Sequence, residues 1–362
     1  MLPAGTYVLT RPPSGSDGDD SGDLNLTTPA SGNPVITIAG AGAATTIIDA
    51  NQIDGVLFID LSRTAIISNV TIRGGYTAYY GGGVENRGAL TLDRVSVTQN
   101  HNGDLGGGIR NSGSLVLRNS SLIDNDSSLG GGGLFNDQDA YVSASTFAFN
   151  TAYEGGGIYN YRRLILIDST IALNEALTDG GGILGVEDSD SATNIYSSTI
   201  VFNDADEDRD GVGSGGGVHI LAGNASTGFN LRNTLVTGNT YANSPQTDDC
   251  YTDSGAALDS YGVNLIGSSD GCTISTVTGF WDYFSGSLGG LQNNGGPTDT
   301  VALLNLGYNN AIDAGAYPEG CTDDQGNTIL TDQRGFARTA GAWCDVGAYE
   351  FDPDRIFING FD

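Results

Sequence analysis

Between Gly81 and Gly182 one phrase recurs: GGGVENRGALTLDRVSVTQN, GGGIRNSGSLVLRNSSLIDN, GGGLFNDQDAYVSASTFAFN and GGGIYNYRRLILIDSTIALN, with a fifth copy opening GGGIL. The last glycines, Gly83, Gly108, Gly133, Gly157 and Gly182, are spaced by 25, 25, 24 and 25 residues, and the closing asparagines Asn100, Asn125, Asn150 and Asn174 keep those steps. Such regularity restricts the chain to a repeat architecture in which each unit buries its apolar face only against its neighbours.

Within a repeat the apolar residues alternate. Leu90 and Leu92 become Leu115 and Leu117, then Ala140 and Val142, then Leu164 and Leu166. A period of two marks strands. Two further columns run Val84, Ile109, Leu134, Ile158, Ile183, Val218 and Val97, Leu122, Phe147, Ile171, Ile200, Val236. Three short strands per repeat predict an all-β, right-handed, single-stranded parallel β-helix of about ten or eleven turns, each rising about 4.8 Å.

Stacked asparagines then have a physical reason. An amide offers both donor and acceptor, so Asn86, Asn111, Asn136 and Asn160, like the closing column, can bond along the stack and to backbone at turns. These eight are read as scaffold rather than catalytic. The glycine triplets mark places where φ turns positive or backbones approach closely.

Net charge is −29, from 43 acids against 14 arginines, and lysine is absent. This surface repels nucleic acid and anionic polymers and rules out a Lys–Asn isopeptide cross-link. No apolar run approaches the roughly 18 residues of a membrane span. Cys250, Cys272, Cys321 and Cys344 lack tight metal-ligand spacing; the close pairs Cys250 with Cys272 and Cys321 with Cys344 predict disulfides in an oxidising compartment.

Residues 1–34 read as a lead-in turn, 35–275 as the β-helix, 276–350 as a C-terminal cap and 351–362 as a tail. Three kinds of chemistry are considered on this frame. A polysaccharide lyase or glycoside hydrolase needs converging carboxylates. The acid pairs Asp19-Asp20, Asp248-Asp249 and Asp323-Asp324 instead read as lying in loops or the cap, so this alternative rests on fold analogy. Asp206, Asp208 and Asp210, followed by Gly211, match the opening of a calcium loop that Asp204 can join, which predicts a structural Ca²⁺. Phe135, Tyr153, Tyr159 and Tyr161 form a candidate aromatic face for sugar rings or a surface protein. His101 and His219 show no partner carboxylate in the sequence and read as solvated.

Several strings occur in an order that resembles a known family. LPAGTY opens the chain, Asn264 to Gly267 (NLIG) precedes Cys272, and NNGGPTDTVALL, AIDAG, DQRGFAR and CDVGAYE follow. They are similar to the choice-of-anchor Q domain of secreted bacterial β-helix proteins, often accompanied by a CSLREA segment. The GGG repeats also resemble those of polymorphic outer-membrane proteins. The resemblance implies an exported or surface-associated spacer or adhesin-like module. It also implies a signal peptide and further residues upstream of LPAGTY, whose absence would leave a β-edge open to end-to-end association.

Overall fold

The computed structural model describes residues 1–13, 22–27, 34–223, 228–242, 247–315, 321–338 and 340–354, with backbone alone at 276–280. Every regular element among them is a strand. Counterparts one repeat apart pair in parallel: Leu90 with Leu115, Leu115 with Ala140, Ala140 with Leu164. The chain is a parallel β-helix.

One sheet stacks nine strands, from Leu24–Leu26 to Cys250–Thr252, so about nine complete turns stand where ten or eleven were expected. The difference lies at the ends, where Gly5–Val8 and Ile274–Tyr283 add rungs only to the nineteen-stranded sheet. The lead-in turn is itself solenoid, because Gly5–Val8 pairs with Thr46–Asp49 and Leu24–Leu26 with Leu57–Ile59. Asp19-Asp20 and residues 355–362 of the tail lie outside the described residues.

The interior is built from ladders. Leu90, Leu115, Ala140 and Leu164 fill one column, and Val97, Leu122, Phe147 and Ile171 another, all buried. Asn86 donates to Asn111, Asn111 to Asn136 and Asn136 to Asn160, each at 2.7 Å, and Asn160 passes the chain to Thr193. The second ladder runs Asn100, Asn125, Asn150, Asn174, Asn203, Asn239 at 2.8–3.0 Å and ends on Asp249. Each of these amides also donates to a strand carbonyl, as Asn125 does to Val97. A third ladder of Ser120, Ser145, Ser169 and Ser198 accepts backbone N–H groups from the rung before it.

The bends combine two devices. Residues just before the serine and asparagine ladders are left-handed whatever their type, as at Arg94, Asn119 and Ala144 or Gln99, Asp124 and Phe149. The ladder hydrogen bonds hold a conformation that costs an L residue about 1–2 kcal/mol. In the glycine triplets the first residue takes positive φ at Gly106, Gly131 and Gly155. A Cβ on the third would lie 2.6 Å from the next rung's carbonyl, as at Gly108.

The region 276–350 does not simply close the end of the stack. After the rung ending at Tyr283, Ser287–Gln292 pairs antiparallel with Thr300–Leu304 and the chain runs back along one flank. Val301 packs on Ala172 and Val201, and Leu303, Ala311 and Val346 on Leu235, Val263 and Leu265. Gln333 accepts from Thr170 and donates to Thr146 and Thr298. Fully buried Arg338 donates to Asp168 and to the Gly347 carbonyl. The covered strands Thr146–Ala148, Thr170–Ala172 and Thr199–Val201 are buried on both faces, whereas Ser96–Thr98 and Ser121–Ile123 bury only their middle residue.

Both disulfides form as the spacing predicts, Cys250–Cys272 with Cα atoms 5.4 Å apart and Cys321–Cys344 with 6.3 Å. The first staples the final rung of the nine-stranded sheet, the second the returning strap.

Candidate functional site

Each central turn carries a fourth strand beyond the three expected, as His101–Asn102 follows Ser96–Thr98, and these very short strands stack into a seven-stranded sheet. Tyr76, His101, Asp126, Thr151, Glu175, Asp204 and Thr240 stand in register on successive rungs. The ladder is polar and tightly linked. His101 stacks on Tyr76 and pairs with Asp126, which also accepts from Thr151 at 2.8 Å. His101 is therefore not a free histidine.

Beside this ladder the next position is small, Ser127, Ala152 and Ala176. The result is a shallow trough of about 360 Å³ whose rims carry Asp126, Glu175, Leu177 and Glu207. Burial, followed by repulsion from Glu207 and Asp204, raises the pKa of Glu175. Tyr153 (45 % exposed) and Leu177 (38 %) stand on neighbouring rungs of this face.

Just past the trough, residues preceding the glycine triplets stack through backbone bonds. Gly131 donates to the Glu154 carbonyl, Gly155 to Asp179 and Gly180 to Ser214. Glu154, Asp179 and Ser214 thus occupy one column, about 4.8 Å per rung. Behind it lies His219, 3 % exposed and not solvated. Its Nδ1 is 3.1 Å from Asp179 and 3.2 Å from Ser214 Oγ, and its Nε2 is 3.3 Å from Asp253. Burial opposes the charge of His219, but the bonds to Asp179 and Asp253 outweigh it and raise its pKa. Asp179 is correspondingly lowered, since burial is outweighed by the bond and charge of His219 together with the bonds from Ser214. Glu154 moves the other way, raised by burial and then by Asp179. Tyr159 is pushed up to about 12 by burial and by Glu154. Asp248, expected in a loop, is raised by burial and accepts from Gly215 at 2.7 Å.

The Asp206 loop packs against the same corner, Asp206 N–H donating to the Thr178 carbonyl. Asp206, Asp208 and Asp210 each bring a carboxylate oxygen within 4.8 Å of the others. Asp206 is buried and accepts from Asp210 and Gly211 N–H, so one carboxylate already organises the turn. Asp204 is not part of the group; as a strand residue of the ladder it accepts from Thr240.

The four aromatics do not make one face. Phe135 and Tyr159 meet edge-to-face at 5.3 Å on the nine-stranded sheet, with Phe135 buried. Tyr161 lies under the Arg162 guanidinium at a corner, and Tyr153 stands on the seven-stranded sheet. Glu154, Asp179, His219 and the trough were missed from the sequence. The available signal was the charged residue immediately before GGG in two consecutive repeats.

The fold and this corner define a disulfide-stapled parallel β-helix with a polar trough on one face. No protein-family model, curated protein or solved structure matches the chain.

Proposed function

We propose that the chain is an exported, surface-associated or secreted β-helix module of the choice-of-anchor Q kind, adhesin-like, that holds a neutral carbohydrate in the trough of its seven-stranded sheet. The observation that carries this reading is the trough itself. A row of small residues lies between carboxylates able to accept sugar hydroxyls and the exposed Tyr153 and Leu177, which offer apolar surface to a pyranose face. The net charge of −29 favours a neutral over an acidic glycan. Two disulfides suit an oxidising, extracellular setting, and no described helix is long and apolar enough to cross a membrane. In the same reading Asp206, Asp208 and Asp210 hold a structural Ca²⁺ that braces the adjacent loop.

Glycan-array binding followed by calorimetry tests it. Leu177→Arg, which blocks the rim, and Tyr153→Ala should each weaken binding at least tenfold while leaving the melting midpoint within a few degrees. Equal binding by Leu177→Arg would remove the trough from consideration. No glycan binding by the wild type would leave a spacer role or a protein partner.

A further inference from the structure

The geometry points to a glycosidic-bond-cleaving centre at the end of the trough, with Glu154 as proton donor and Asp179 as the carboxylate that attacks the anomeric carbon of a neutral polysaccharide. This rests on the carbohydrate reading and adds a reaction to it. Glu154 and Asp179 each lie two residues beyond a trough-lining residue, Ala152 and Leu177 respectively. Their rungs are adjacent, because Gly131 bonds the Glu154 carbonyl and Gly155 the Asp179 carbonyl. Adjacent rungs put the two backbones about 5 Å apart, a spacing from which the carboxyls can take the roughly 5–5.5 Å separation of retaining glycosidases.

The surroundings separate the two roles. Asp179 accepts on Oδ1 from Ser214 at 3.1 Å and faces His219 Nδ1 at 3.1 Å, while its side chain stays 27 % exposed. Its second oxygen is thereby aimed by a fixed donor pair. His219 cannot swing away, being held on its far nitrogen by Asp253 and against the Tyr251 ring at 5.0 Å. Burial, then the charge of Asp179, raises Glu154 against an opposing pull from His219, and Glu154 in turn adds to the rise of the Tyr159 phenol. Two carboxyls driven in opposite directions, one by burial and a like charge and the other by its donors, are the arrangement that lets one give a proton and the other stay ionised.

The step balances with water as the only co-reactant. The Glu154 carboxyl proton passes to the glycosidic oxygen as its bond to C1 breaks, and an Asp179 oxygen bonds C1, giving a glycosyl ester and a free alcohol. Water then gives a proton to the Glu154 carboxylate and its hydroxyl to C1, and the ester bond to Asp179 breaks. His219 touches no substrate atom here and acts as a positioning residue.

The test incubates the full chain with β-glucan, xylan, mannan, galactan and chitin and measures new reducing ends, with binding to each polymer followed in parallel. Hydrolysis with retained anomeric configuration by NMR is expected, and Glu154→Gln and Asp179→Asn should each reduce it at least 100-fold with polymer binding kept. His219→Gln should lower kcat with little change in KM. Polymer binding without new reducing ends overturns the catalytic assignment and leaves the binding reading standing. Absence of both binding and hydrolysis overturns the two together. Hydrolysis that survives Glu154→Gln and Asp179→Asn moves the centre elsewhere.

Discussion

The Arg338 guanidinium donates to the Asp168 carboxylate across 170 residues of sequence, joining the returning C-terminal strap to a bend in the middle of the stack. Arg338 is about 1 % exposed and also bonds carbonyls of Asp345 and Gly347, with Glu350 at 3.8 Å. Removing one member of a buried charge pair strands the other, at a cost of about 3–5 kcal/mol. Arg338→Ala should lose that much in denaturant unfolding, and Arg338→Met with Asp168→Leu should recover most of it. A single mutant as stable as wild type would show that the strap contributes nothing there.

The inner asparagine ladder predicts a strong response to one deletion. Asn125→Ala removes the donors to Asn150 and the Val97 carbonyl and the acceptor for Asn100. With these groups left unpaired in a dry core, about 1–3 kcal/mol should be lost for each one stranded. Asn119→Ala, at a bend on the surface, should change the midpoint much less. Hydrogen exchange should show faster opening of the rungs beside Asn125.

Stability should rise on acidification from pH 8 to pH 5. Burial pushes Asp249 and Glu350 up to about 7 and Asp168 and Asp345 up to about 6. Each such carboxyl takes up a proton on folding. Its contribution is complete below the ordinary value of 3.8 for Asp and is lost as pH climbs through the folded value of about 6–7. The raised His219 works in the same direction. Asp249→Asn, which ends the ladder in a neutral amide, should stabilise the protein at pH 8 by up to about 4 kcal/mol and flatten the profile. A midpoint that falls between pH 8 and pH 5 would contradict this.

Calcium should raise the melting midpoint if the Asp206 loop holds the ion. At a hundredfold excess over Kd the gain is about 2.7 kcal/mol. Asp208→Asn with Asp210→Asn should abolish the difference between calcium and EDTA without unfolding the loop, because Asp206 keeps its bonds from Asp210 and Gly211 N–H and an amide oxygen can still accept the N–H groups that Asp208 and Asp210 bind. An identical midpoint with calcium and EDTA would reduce the loop to solvated charge.

The disulfides should matter unequally to different parts. Cys321→Ser with Cys344→Ser opens a loop of 23 residues, worth roughly 3 kcal/mol in the chain-entropy model. Limited proteolysis should then cut the strap first and leave the repeats from Gly81 to Asn203 intact. Simultaneous cleavage of both would mean that strap and stack unfold as one.

The β-helix was legible because its signals repeat. Alternation at Leu90 and Leu92 and the asparagine columns say the same thing on every turn, so single departures do not blur them. The strap was not legible as a flank. TFA, TIA and TIV carry the same hydroxylated and apolar residue types as their earlier counterparts SVT and SLI, so their composition did not show that they are buried on both faces and need a cover. The His219 cluster was hidden for another reason. Asp179, Ser214 and Asp253 belong to three different turns, and insertions such as that at Asp204–Gly211 break the numerical period that would have aligned them. Of the expected aromatic face, Phe135 and Tyr159 do stand side by side, but Phe135 is buried and Tyr153 belongs to another sheet.

The returning strap also changes how the molecule carries load. Tension applied near Glu350 does not peel the last rung from the stack, as it would in a solenoid whose chain leaves at its end. It is transferred through Arg338 to the bend at Asp168 and through Gln333 to the strand that begins at Thr170, several rungs inward, where the bonds are pulled in parallel. The stack then behaves as a riveted strut, resisting by shear.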